Sequence, residues 1–191
     1  MINTVDVFKH KPAILQKAEN YLNDLKDAMV VELKDFDGII PANADLTKSQ
    51  LARGENHKGF PYRSLDIPQI FSKTEMFTYR VLFWWGNFLA YSLILKGKSI
   101  PGFLDRLVSA RHKEMWDKTY LSTAPSPWEW TETNFVGISG RTDDEIRNLV
   151  ESIQYIKLCH FFPVSDDGFP SLNWVSQGIK SWRILSSITT R

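Results

Sequence analysis

Residues 51–66 read LARGENHKGFPYRSLD and gather Arg53, Glu55, His57, Lys58, Tyr62, Arg63 and Asp66 in one short span. If 51–57 runs extended, side chains alternate between faces, and Arg53, Glu55 and His57 share one. A carboxylate two residues from an imidazole can orient the ring and raise its basicity. Glu55 and His57 are therefore the candidates for general-base chemistry. The planar guanidinium of Arg53 or Arg63 suits the carboxylate or phosphate of an anionic substrate. In the following segment Tyr62, Ser64 and Asp66 fall on one face, so a pocket between the two pieces would hold a base, an anion binder and a hydrogen-bonding ring. The same residues equally describe a charged edge strand that keeps another chain from pairing with it. No spacing in the segment separates the two readings.

Aromatic residues form the second group with binding chemistry. They make up 13% of the chain, with seven Trp and twelve Phe; such rings bury large areas in a core or line a pocket. On a strand Trp84 and Trp85 point to opposite sides, so one can line a ligand cavity while the other fills the core. In Trp128-Glu129-Trp130 both indoles share a face. Two rings side by side can stack on a flat ligand or base, or simply cover a sheet.

Other chemistries find less support. The four histidines, His10, His57, His112 and His160, make no zinc motif with one another or with Cys159, so no metal and no cofactor is expected. Cys159 beside Phe161 and Phe162 reads as a small buried thiol. GISGRTDDE, 137–145, leads into a helix N-terminus. Its first turn is already filled by Asp143, Asp144 and Glu145, and the Lys-Ser/Thr of a phosphate loop is missing. Arg106, Arg111, His112 and Lys113 make one helix basic, but Asp105, Glu114 and Asp117 dilute it. The net charge of +1 argues against nucleic acid as a partner.

These groups must be positioned by a fold. The chain of 191 residues suits one domain that buries roughly 70% of its unfolded surface without disulfides. Residues 12–34 read as an amphipathic helix with Pro12 in its first turn and a stripe of Ile14, Ala18, Leu22, Leu25, Met29 and Leu33. Pro61 places 59–66 at a sheet edge or breaks the strand. Residues 76–85 and 88–96 form a hairpin about Gly86-Asn87, at the centre of the sheet and covered on both faces; a single buried helix over 76–95 is the competing reading. A helix over about 100–116 follows, then short strands in WEW and TNFVG. A capping box at Thr142–Glu145 opens a helix that runs through Leu158 and ends before Pro163, and a last helix covers about 171–187. The expectation is one α+β domain, 1–191: a mainly antiparallel sheet flanked by about four helices, with a long N-terminal helix.

The blocks KGFPYRSLDIPQIF and VLFWWGNFLAYSLIL resemble an uncharacterised family of bacterial hypothetical proteins, a resemblance that implies neither activity nor site residues. A single cysteine and an N-terminus without a signal-like apolar core suggest a cytoplasmic protein. The longest uncharged stretch of the apolar region, Val81 to Leu95, is short for a membrane span of about 20 residues. The function expected is a soluble, non-enzymatic ligand-binding or protein-interaction domain, with a small-molecule ligand or a second copy of the chain as partner. Arg53, Tyr62, Arg63, Asp66, Trp84 and Trp85 are the expected ligand-binding residues. The alternative is a small-molecule enzyme with a polar cleft around 53–66, His57 acting as base and Glu55 as its orienter.

Overall fold

A computed structural model describes residues 5–42 and 44–190. Helix α1 (Val5–Glu32) comes first, extended by a 3-10 turn over Leu33–Asp35. Strands β1 (Gln50–His57), β2 (Phe60–Phe71), β3 (Met76–Trp84) and β4 (Phe88–Lys96) follow as an antiparallel meander. Next come α2 (Ile100–Ala110), β5 (Tyr120–Ser122), β6 (Phe135–Gly137), α3 (Asp143–Ile153), β7 (Ile156–Pro163) and α4 (Trp174–Ser186). The sheet runs β1-β2-β3-β4-β7-β5-β6, antiparallel throughout. The fold is α+β, as the residue pattern predicts.

Leu15, Ala18, Leu22, Leu25, Met29 and Leu33 recur at three- and four-residue steps on α1 and are buried. This stripe packs on β2 and α4 and covers one sheet face. From below, Phe77, Tyr79, Val81 and Phe83 of β3 and Leu89, Tyr91, Leu93 and Leu95 of β4 rise into the same core. The hydroxyls of Tyr79 and Tyr91 donate to the α4 carbonyls of Gly178 (2.7 Å) and Trp174 (2.8 Å). Each ring thus buries its apolar body while its polar tip is satisfied. The 76–95 segment is the hairpin rather than a helix: Gly86, at φ +78°, lies in its turn.

Several elements differ from the sequence reading, each for a tertiary reason. Pro12 lies within α1 rather than in its first turn. Pro61 sits in an interior strand, but opposite a bulge where β1 offers two residues against one, so its missing N–H breaks no ladder. Helix α2 stops at Ala110, and Trp116 enters the core instead of Met115. Helix α3 begins at the expected capping box but ends at Ile153. The residues after it turn at Gln154, in the left-handed region, and become β7. WEW is loop, whereas TNFVG holds the expected short strand, β6, which pairs with β5. Among the described residues no helix is long and apolar enough to cross a membrane.

Candidate functional site

The sheet face away from α1 and α4 is covered only in part, by the 123–134 loop. Ser64 and Asp66 of β2 stand opposite Leu82 and Arg80 of β3 on this face, and Tyr62 stands opposite Trp84. Two bulges add to the set. The first, between Gly54 and His57, reverses the alternation of β1. His57 then pairs with Phe60 and turns to this face, while Arg53 and Glu55 turn to α1. The second, between Asp66 and Gln69 of β2, does the same for Phe71. The result is a cleft of about 430 Å³ lined by Ala52, His57, Tyr62, Ser64, Phe71, Arg80, Leu82, Trp128 and Trp130. A depression of about 560 Å³ at the start of α3 is larger, but it is an open, charged surface around Arg111, His112 and Asp143.

Two devices hold the cleft's shape. Arg80 donates through Nε and Nη2 to both oxygens of buried Asp66, at 2.7 Å each. This bidentate pair is rigid, and Trp128 lies over the guanidinium at 4.4 Å, with Phe71 edge-on to the indole at 5.4 Å. Lys157 of β7, fully buried, donates to the carbonyls of Pro127 (2.9 Å) and Glu129 (2.8 Å) from beneath the Trp130 ring, 3.4 Å away. Burial draws its pKa down to about 8. Lys157 therefore latches the loop whose two indoles wall the cleft.

His57 stands at the other end, edge-on to Trp84 (4.9 Å) and Tyr62 (6.1 Å), while the Trp84 indole N–H donates to its carbonyl. Burial, then the charge of Lys58, lowers its pKa, so the ring is neutral at pH 7. Its Nε2 is buried and has no hydrogen-bond partner among the described residues. Tyr62 lies flat over Gly54; a Cβ there would fall 1.9 Å from the ring.

The expected alignment of Arg53, Glu55 and His57 on one face is thus not what the structure has, and the bulge is the reason. Glu55 binds Lys11 (3.0 Å) and Arg63 (3.2 Å), which hold its pKa below the usual carboxylate value. Arg63, buried, and exposed Arg53 both grip Glu19 of α1, at 2.6 and 2.7 Å. These five groups form an ionic seam between α1 and the first two strands, with the Arg63 guanidinium also donating to the Tyr62 carbonyl. Of the expected ligand-binding residues, Tyr62 lines the cleft, while Asp66 and Trp84 support it from behind. Arg53 and Arg63 lie in the seam, and Trp85 packs on the main core.

Ser64 shares the face of Tyr62 as alternation predicts, whereas Arg80, Phe71 and Leu82 enter the cleft through strand register, which no local pattern announces. Trp128 and Trp130 both line the cleft, but from a loop rather than as neighbours on one strand face: Trp128 lies over Arg80 and Trp130 over Lys157. Cys159 and His160, adjacent on β7, point to opposite faces. The thiol is buried, with its pKa pushed up to about 12. The imidazole is held between Thr119 (3.0 Å) and Ser181 (2.9 Å), its pKa drawn down to about 4. Among the described residues no three His, Cys, Asp or Glu gather to hold a metal.

Comparison with family models, curated proteins and solved structures finds no match for the chain.

Proposed function

We propose that the protein is a non-enzymatic ligand-binding domain whose ligand enters the aromatic cleft. The observation that carries this reading is the convergence of five rings, His57, Tyr62, Phe71, Trp128 and Trp130, around a floor of Ser64, Leu82 and Arg80. An apolar concavity with a few convergent polar groups is the usual form of a small-molecule site. Trp128 remains 39% exposed although it is fixed by Arg80 and Phe71, so its ring is both available and pre-ordered for contact.

Catalysis at 53–66 has less support. Glu55 is on the opposite sheet face from His57, engaged by Lys11 and Arg63, and the buried Cys159 thiol is protonated. The lone buried cysteine accords with a cytoplasmic setting.

Saturation-transfer NMR with a mixture of small aromatic fragments tests the binding reading. At least one fragment is expected to receive saturation and to shift the indole N–H signals of Trp128 and Trp130, with both effects lost in Trp128→Ala. A fragment set that never touches these signals, at millimolar concentration, would remove the reading.

A further inference from the structure

We propose that the cleft selects a planar aromatic ring bearing one negative charge, such as an aryl carboxylate; this rests on the binding reading above and specifies the ligand's chemistry. The argument begins with Arg80. Asp66 occupies Nε and Nη2, and no acceptor for Nη1 is found among the described residues. The guanidinium is held by that ion pair and by the Trp128 ring, so its remaining N–H groups are oriented before any ligand arrives.

The second point is charge. The cleft lining contains no carboxylate. Asp66 is 1% exposed, with both oxygens bound to Arg80. Arg80 is the one fixed charge among the lining residues. Lys58 is tied to the loop by a hydrogen bond to Thr131, and Glu129 accepts from Asn134 at 3.1 Å. An anion therefore meets the remaining N–H groups of Arg80 with no carboxylate in the lining against it, whereas a cation meets the guanidinium itself.

The third point is shape and surface. The walls are rings, whose faces and edges complement a flat π-system, and about 430 Å³ holds a mono- or bicyclic ligand. At the floor, Ser64 is 2% exposed and no hydrogen bond from its hydroxyl is seen among the described residues. It can therefore meet a second acceptor oxygen beside Arg80. His57, neutral at this end, adds no charge that would change the preference near pH 7.

The test uses three probes of one shape: naphthalene-2-carboxylate, naphthalene-2-carboxamide and 2-naphthylmethylammonium. Each is titrated calorimetrically into the full chain and into two variants. Trp128→Ala removes a wall. The double variant Asp66→Asn with Arg80→Gln removes both charges yet keeps two groups able to hydrogen-bond, so neither is left as an unpaired buried ion; its fold is checked by amide dispersion. The carboxylate is expected to bind best, the amide about tenfold weaker, in line with the greater strength of charge-assisted bonds, and the ammonium not measurably. The double variant should bind carboxylate and amide alike.

If all three probes bind equally and Trp128→Ala abolishes all three, charge selection is wrong while the binding site stands. If no probe binds but other aromatic fragments still reach Trp128 and Trp130, the proposed ligand class is wrong. If neither probes nor fragments bind, the binding reading itself fails.

Discussion

Replacing Lys157 by methionine should open the cleft from behind. The side chain keeps its length and apolar stem but loses its ammonium. Two hydrogen bonds from a charged donor disappear, worth about 1.5–3 kcal/mol each, along with a desolvated cation–π contact of about 2 kcal/mol. Relief from burying a charge opposes this loss. The fall in the Lys157 pKa from its ordinary 10.5 to about 8 corresponds to about 3 kcal/mol. The balance is a destabilisation of about 2–5 kcal/mol, concentrated in the 123–134 loop. Urea unfolding would report the global part. The indole N–H signals of Trp128 and Trp130 would report the local part by moving toward solvent-exposed positions, and ligand binding would fall with them. A Lys157→Met variant as stable as the parent, with both indole signals unmoved, would refute the latch, because the Pro127 and Glu129 carbonyls would then have no need of the ammonium.

Three further outcomes follow from the same geometry. Buried His160 is neutral in the folded chain, with a pKa near 4 against 6.5 unfolded, so the unfolded state takes up more protons between these values. Stability should therefore be full above about pH 6.5 and fall by up to about 3 kcal/mol as pH drops toward 4; His160→Gln should flatten most of that slope in urea midpoints, leaving a smaller part from His57, whose pKa is also lowered. Glu19→Ala should cost about 3–5 kcal/mol by leaving buried Arg63 poorly compensated, whereas Arg53→Ala, at an exposed partner of the same carboxylate, should cost less than about 1 kcal/mol by thermal unfolding. Gly54→Ala should drive the Tyr62 ring off its seat for about 1–3 kcal/mol and weaken aromatic ligands; unchanged affinity with an unmoved Tyr62 signal would count against the close approach.

The elements most legible in the sequence are those specified by neighbours along the chain. Thr142 and Glu145 cap α3 reciprocally because the two groups lie three residues apart and need no third party. The stripe from Ala18 to Leu33 announces α1 because one helix face must meet a core. Strand β7 is not legible. Its residues are buried on both faces of the sheet, so YIKLCHFF has no polar side to reveal a period of two, and it continues smoothly from an amphipathic helix.

The residues alone determined an α+β chain with an aromatic core, a long first helix and a charged segment leading into an apolar hairpin. Which charged and aromatic groups meet was decided only by strand pairing. One extra residue in β1 turns His57 away from Arg53 and Glu55, and a second bulge in β2 brings Phe71 to the same cleft. A shift of one position in register exchanges the faces of every following side chain. That shift belongs to the pairing of two strands, not to either strand alone.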